Sequence, residues 1–263
     1  MVRKYGATNI QWPLKRSILT FADEYVSNQK VANFFPLCEC NRAPMSVHYM
    51  TKFVGYWTKV LQMPNERYPR QCYLMLRRLH KAGRRTWATY VKDMLYGHGY
   101  GHAWLAQDVR SRFDFMKLLI ERVNDRATIS VLSQVENSPK ADHYKHFKTQ
   151  LNVERYLCVN LPFKLKRLLA NLRCSGHNLM IEKVRHQNID RQFRCCPICL
   201  FNSDFHVEDE FHMLLVCTLY DELRTQCFLQ IWLNCEPNVE LFYTILSEES
   251  SIFCFNKFHL QSV

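Results

Sequence analysis

Glycine is scarce in this chain, with only 7 among 263 residues where about 7% is usual. Loops that hold phosphate groups need clustered glycines, because a backbone without side chains lets several N–H groups converge on an anion. None of the seven lies in a G-x-x-x-x-G-K or a strand-linked G-x-G-x-x-G setting. P-loop, kinase and dinucleotide-binding classes are therefore excluded, and no nucleotide cofactor is expected. Few glycines also disfavour the tight turns of barrels and sandwiches, so a mainly α fold is predicted.

Apolar residues recur with helical spacing. Met50, Phe53, Val54 and Trp57 follow the i, i+3, i+4, i+7 pattern, which Val47, Val60 and Leu61 extend, with Ser46 available as a cap and a proline ending the run. The same reasoning predicts helices over residues 70–82, 86–96, 108–124, 143–157 and 162–174.

Charge divides the chain into two parts. The net charge of +11 is the sum of a strongly basic stretch, residues 1–200, and an acidic stretch, residues 201–263. Together with the helical periodicity, this predicts an N-terminal extension over 1–44, a basic helical region over 45–190, a small metal-stabilised module over 191–232 and a helical tail over 233–263.

Two of the predicted helices have basic faces opposite apolar ones. In helix 70–82 we expect Cys72, Met75, Leu76 and Leu79 to face the core, and in helix 162–174 the leucines. An ordinary solvated surface is the alternative to phosphate binding, but the basic charge favours RNA or DNA as a partner. The candidate nucleic-acid-binding residues are Arg70, Arg77, Arg78, Lys81, Arg84, Arg85, Lys164, Lys166 and Arg167.

Cysteine and histidine follow a metal-ligand spacing near the C-terminal end. Cys196, Cys199, His212 and Cys217 form the pattern C-x2-C-x12-H-x4-C. Two cysteines in one tight turn plus a second pair is the layout of a structural zinc site, with four protein ligands and no position left for a substrate. We therefore predict structural Zn²⁺ as the cofactor.

Three alternatives to this ligand set remain open. Cys195 could replace Cys196, His206 could supply the nitrogen, or all of these residues could be buried without metal. The second pair also poses a geometric problem, since five residues on an ideal helix leave His212 and Cys217 about 140° apart. We expect the helix to tighten or to end near Cys217.

No segment is typical of a signal peptide or of a membrane span, which needs about 18 consecutive apolar residues. We expect an intracellular protein of the nucleus or cytoplasm, with reduced cysteines and no membrane partner.

Several motifs together resemble a known family. They run from Arg173-Cys174-Ser175-Gly176-His177-Asn178, through Arg185-His186-Gln187-Asn188 and the cysteine pair, to Glu208-Asp209-Glu210-Phe211-His212, Cys217, Tyr220 and Arg224. This pattern is similar to the C-terminal zinc-binding end of reverse transcriptases from non-LTR (LINE-type) retrotransposons. The resemblance is strong over 173–224 and looser over the rest of residues 30–260, where Pro36-Leu37, Tyr56-Trp57, Trp87 and Gly99-Tyr100 contribute.

The resemblance implies the same four metal ligands and a role in holding element RNA or target DNA. Polymerase chemistry, however, needs paired aspartates that bind two metal ions, and the sequence contains no Asp-Asp pair. Nothing resembles the endonuclease of that family either. We therefore expect a non-catalytic, retrotransposon-derived fragment that binds zinc and nucleic acid. The alternative is a zinc-stabilised protein–protein interaction module without a nucleic-acid role.

Overall fold

The structure, a computed structural model, describes residues 31–227 and 236–247. Over these residues it is built from helices, with two isolated β-bridges and no strand, which confirms the mainly α prediction. Among the residues described, no helix is long and apolar enough to cross a membrane. The α-helices are α1 (Phe34–Glu39), α2 (Met45–Leu61), α3 (Tyr68–Lys81), α4 (Trp87–Gly97), α5 (Gly101–Ala106), α6 (Arg112–Asn137), α7 (Tyr144–Phe147), α8 (Arg155–Cys158), α9 (Phe163–Arg173), α10 (Met180–Lys183), α11 (Pro197–Phe201), α12 (Asp221–Cys227) and α13 (Val239–Leu246).

One predicted helix is wrong. Residues 143–157 form two one-turn helices, α7 and α8, separated by an extended stretch in which Val153 pairs with Cys40. α6 is longer than predicted, and α2 begins at Met45 instead of after Ser46. Part of the predicted C-terminal tail is helical as α13, whereas its last sixteen residues lie outside the described part of the chain.

The chain forms two compact units, Ala43–Val131 and the remainder. The core of the first unit is aromatic and centred on Trp57, which is fully buried. The Trp57 indole N–H donates to the Tyr73 hydroxyl at 3.0 Å, and that hydroxyl donates to the Gln107 side chain at 2.5 Å. These bonds satisfy the polar atoms of two buried rings and fix α3 against α2.

The inward face of α3 differs from the prediction. Tyr73 is buried, whereas Cys72 and Met75, which the periodicity places in the core, are exposed. Arg70 and Arg77 lie three residues before and four residues after Tyr73, so they share its face and are half-buried. The burial of one large tyrosine, with its hydroxyl satisfied, decides the orientation of the helix over several smaller apolar side chains.

The second unit is organised around a buried charge network. Glu39 accepts hydrogen bonds from the hydroxyls of Tyr144, at 2.7 Å, and Tyr156, at 2.5 Å. The Arg173 guanidinium pairs with Glu39 at 3.3 Å and with Glu154 at 2.7 Å. Lys148 also pairs with Glu154. All four charged residues are buried, which is tolerated because each has partners of opposite charge.

These contacts determine the pKa values of the two buried carboxylates. Burial alone would raise the pKa of Glu39, but Arg173 and Lys148 hold that pKa below its ordinary value. Burial and the charge of Glu39 raise the pKa of Glu154 to about 7. The two carboxylates therefore depend on the neighbouring cations to stay ionised together.

The buried side of helix α9 is only partly as predicted, because two cations are buried beside Leu169. Its buried residues are Lys166, Leu169, Ala170 and Arg173, which follow i, i+3, i+4, i+7 spacing, while Leu168 is half exposed. Arg173 faces inward because Glu39 and Glu154 lie there, and Lys166 because its ammonium donates to the Leu157 carbonyl at 2.8 Å. Lys166, predicted to contact nucleic acid, is thus a structural residue, and burial lowers its pKa.

This network makes a prediction for stability. Arg173→Leu should lower the free energy of unfolding by about 3–5 kcal/mol, because it leaves two buried carboxylates without their shared cation. Arg167→Leu, at an exposed position of the same helix, should change it by less than about 0.5 kcal/mol. Urea unfolding followed by circular dichroism measures both. Equal midpoints for the two variants would contradict the role assigned to Arg173.

Candidate metal centre

The first cysteine pair is held by a short hairpin-like turn. Cys195 forms a β-bridge with Val207, and the Cys196 amide donates to the His206 carbonyl at 2.9 Å. Pro197 then starts α11, so that Cys196 lies just before the helix and Cys199 within its first turn. The Asp204 amide donates to the Cys199 carbonyl at 2.9 Å and closes the turn.

The second pair lies on a widened helix. Residues His212–Val216 form a π-helix, in which the Cys217 amide donates to the His212 carbonyl at 2.8 Å. In a π-helix the backbone bond runs from residue i+5 to residue i, which is also the spacing of this pair. The two side chains therefore lie on the same side of the turn. Of the two predicted outcomes, that the helix tightens or that it ends near Cys217, the second is observed, and the last turn before that end is wider than an α-helix.

The four side chains meet in one buried cluster. The Cys196 and Cys199 sulfurs each lie 3.9 Å from the Cys217 sulfur, and the Cys199 sulfur lies 3.4 Å from His212 Nε2. All four donor atoms are within 4.8 Å of one another and could hold a metal ion. Disulfide bonds are excluded, since bonded sulfurs are about 2.05 Å apart and the three thiols are free.

The electrostatics of the cluster explain why a cation suits it. Burial, together with the neighbouring Cys196 and Cys217 sulfurs, raises the pKa of the Cys199 thiol to about 12. Burial and the nearby His206 ring lower the pKa of His212, which favours the neutral imidazole that binds metals. A bound cation reverses the penalty on the thiolates, because it supplies the positive charge that the protein lacks at this point.

The structure distinguishes the alternative ligands. Cys195 lies outside the cluster, where its thiol donates to the Gln192 carbonyl at 3.6 Å. His206 stacks beside His212 with ring centroids 5.4 Å apart but does not belong to the donor group. The set brought together is therefore Cys196, Cys199, His212 and Cys217.

Contacts around the cluster involve residues that spacing alone does not assign. The Asp209 carboxylate accepts from the His212 amide at 2.9 Å, and thereby caps the start of the helical turn. Arg224 donates to the Cys217 carbonyl at 2.5 Å. Both belong to the motifs that carry the family resemblance, and Asp209 is also one of three consecutive acids of the kind typical of a first helical turn.

A second set of contacts joins the cluster segment to the rest of its unit. The Glu210 carboxylate accepts from Ser175 Oγ at 2.8 Å and pairs with His177 Nε2 at 2.8 Å. The Glu208 carboxylate accepts from the Met180 amide at 2.7 Å. In the sequence these acids are typical of a first helical turn, where negative charge is favourable. In the structure they bind the turn that follows α9 and the start of α10.

The predicted nucleic-acid-binding residues differ in their exposure to solvent. Arg78, Lys81, Arg84 and Arg85 are exposed or half-exposed at and after the end of α3. Arg70 and Arg77 are half-buried, with the Arg70 guanidinium 6.0 Å from the Tyr73 ring centroid. On α9, Lys164 and Arg167 are exposed, whereas Lys166 is buried and is excluded from direct phosphate contact.

No protein-family model matches the chain, and the comparisons with curated proteins and with solved structures found no match either. The resemblance to non-LTR reverse transcriptases therefore remains a prediction that rests on the quoted motifs.

The adjacent cysteines provide a matched test of the metal centre. Cys196→Ser should abolish stoichiometric metal binding and expose the segment 194–224 to protease, because one donor is removed from a four-donor site. Cys195→Ser should retain the metal and the protease resistance. Native mass spectrometry and limited proteolysis measure the two effects. Equal metal content in both variants would show that the ligand set is wrong.

Proposed function

We propose that the metal is zinc and that its role is structural. A tetrahedral zinc ion with Zn–S bonds of about 2.3 Å and a Zn–N bond of about 2.0–2.1 Å sets sulfurs about 3.8 Å apart and sulfur and nitrogen about 3.6 Å apart. The separations of 3.9, 3.9 and 3.4 Å lie near these values, and the other three donor pairs are within 4.8 Å. A buried Cys₃His cluster with its four donor atoms this close together is the observation that supports zinc.

Four protein donors leave no coordination position for water or substrate. Binding energy of such a site is folding energy, because the site does not exist in the unfolded chain. The ion would hold the turn at α11 to the π-helix, where the three cysteines and Tyr220 form only a small apolar cluster of their own. Metal analysis of the purified protein should find about one zinc per chain and little iron.

We further propose that the unit Ala43–Val131 binds nucleic acid. It contains 15 Lys and Arg residues against 6 Asp and Glu residues, a net charge of +9. Throughout residues 43–131, all of which the structure describes, no Lys or Arg forms an ion pair with a carboxylate. These cations therefore keep their charge available for phosphates.

The other unit differs in this respect. Several of its arginines are paired with acids, as in Arg185 with Glu182 and Arg191 with Asp142, and the metal segment, residues 194–224, is itself acidic. Phosphates should be repelled from the metal centre. In this proposal zinc therefore stabilises the fold and takes no part in nucleic-acid binding. Lys164 and Arg167 are the exposed cations of α9 that offer a second, smaller basic surface.

In this proposal the chain is a retrotransposon-derived fragment of a reverse transcriptase that binds nucleic acid without catalysing a reaction. The motifs quoted for the resemblance support the origin. The lack of an Asp-Asp pair supports the absence of polymerase chemistry.

Salt dependence tests nucleic-acid binding. The affinity for an RNA or DNA duplex should fall steeply with salt, and the triple variant Arg78→Glu, Lys81→Glu, Arg84→Glu should reduce the log–log slope by about 0.9 for each phosphate that the variant no longer neutralises. Fluorescence anisotropy measures both quantities. Lys183→Glu, an exposed charge reversal in the other unit, is the control for net charge when compared with Arg84→Glu alone. Identical decreases in affinity from these two single variants would argue against the assigned surface.

A second candidate function is a protein interaction module. Large apolar side chains are exposed over the metal segment, including Phe201, which is 91% exposed, and Phe205, which is 77% exposed. Apolar surface with an acidic surround suits a basic amphipathic helix of another protein. Binding of a synthetic Lys/Leu helix that is abolished in Phe201→Ser, with no binding of nucleic acid, would favour this function. The exposed apolar residues of the segment are Phe193, Ile198, Leu200, Phe201, Phe205, Leu219 and Leu223.

A further inference from the structure

Helix α4 presents two tyrosine rings to solvent. Tyr90 is 50% exposed and Tyr96 is 48% exposed, although Val91 and Leu95 on the opposite side of the helix are fully buried. At about 1.5 Å rise and about 100° per residue, the two tyrosine positions lie about 9 Å apart along the helix axis and about 120° apart around it, one on each side of the exposed face. The buried side anchors α4 in the core of its unit, so the exposed tyrosines occupy a rigid surface.

A cation lies beside each exposed ring. The Arg85 guanidinium is 5.6 Å from the Tyr90 ring centroid, and the Lys92 ammonium is 5.8 Å from the Tyr96 ring centroid. Both distances are within the range of about 6 Å over which a cation is attracted to the face of an aromatic ring. Neither cation pairs with an acid in the part of the chain that the structure describes.

Two further arginines flank the end of the helix. Arg126 donates to the Gly97 carbonyl, and Arg122 donates to the His98 carbonyl at 3.0 Å. They bind the free carbonyls at the C-terminus of α4 and place two more positive charges near Tyr96. The one acid on α4 itself is Asp93, which lies between the two tyrosines around the helix and is outnumbered by the four cations.

Glycine fixes the position of the Tyr96 ring. A Cβ on Gly101 would lie 3.0 Å from a carbon of that ring, and a Cβ on Gly99 would lie 2.7 Å from an Arg122 nitrogen. The ring and the guanidinium would therefore have to shift if either glycine carried a side chain. Gly99 also has a φ of +82°, which glycine adopts without strain.

We infer that this surface, defined by Arg85, Tyr90, Lys92, Tyr96, Arg122 and Arg126, binds single-stranded nucleic acid. The inference rests on the proposed function and specifies its ligand. Base faces are hidden in a duplex, whereas a single strand offers them for stacking on tyrosine while its phosphates lie against the neighbouring cations. Because every base has such a face, this surface binds strands with little sequence preference.

The test compares two probes with the full-length chain. Tyr90→Leu and Tyr96→Leu should each weaken binding of a short labelled oligouridylate at least about fivefold, since base stacking on an aromatic side chain contributes about 1–3 kcal/mol per base. Binding of a matched RNA duplex should change less than about twofold. Tyr49→Leu is the control, because Tyr49 is equally exposed, at 55%, but its ring contacts Phe53 instead of a cation.

The outcomes separate this inference from the proposed function. If the wild-type chain binds the duplex but Tyr90→Leu and Tyr96→Leu leave oligouridylate binding unchanged, the stacking surface is wrong and nucleic-acid binding stands. Equal weakening for both probes, or an equal weakening in Tyr49→Leu, would also overturn the stacking surface. If the wild-type chain binds neither probe, the proposed function fails as well. Circular dichroism confirms that each variant is folded.

Discussion

The unit that carries the metal cluster depends on one buried cation. The Arg173 guanidinium contacts Glu39 and Glu154 and also donates to the Leu246 carbonyl, so it joins α1, α9, α13 and the stretch before α8. Its flat face lies 4.7 Å from the Phe147 ring centroid, which excludes water from the pairs. Two carboxylates at this depth are tolerated only while such a cation satisfies them, so this single side chain requires four distant parts of the chain to be in place together.

The turn that follows the C-terminal end of α9 contacts the segment of the metal cluster. After Arg173 the chain turns at Ser175, whose φ is +50°, and its hydroxyl donates to Glu210. Glu210 lies two residues before the ligand His212. The π-helix is thus connected to the buried network through Glu210 and Ser175 and to the donor cluster through His212 and Cys217. Local sequence could not reveal this, since residues 175 and 210 are brought together only by the fold.

Hydrophobic periodicity predicts helices well and their faces less well. It succeeds for α2, where the inward residues Val54 and Trp57 are apolar and match the pattern. It fails for α9, where Lys166 and Arg173 are buried because their partners come from other segments. It also fails over 143–157, where Lys148 and Glu154 lie at the edges of the break in the helix and pair with each other. In each case, a long-range or cross-turn electrostatic contact outweighs the local preference for burying leucine or for continuing a helix.

The donor set of the cluster could be predicted because each cysteine pair or Cys/His pair is local in sequence, and spacing then decides which atoms meet. The widening at His212–Val216 could not, since a π-turn is unfavourable by itself and forms here where two side chains must reach one point. The two units also differ in whether their arginines are paired with acids. The arginines Arg173, Arg185 and Arg191 of the metal-bearing unit are neutralised internally, whereas those of residues 43–131 are not. A cation that is already paired must give up its partner before it binds a phosphate, and a free cation gives up only water. The affinity for polyanions should therefore depend on the unpaired cations of the unit Ala43–Val131, even though the metal segment is the more conspicuous motif in the sequence.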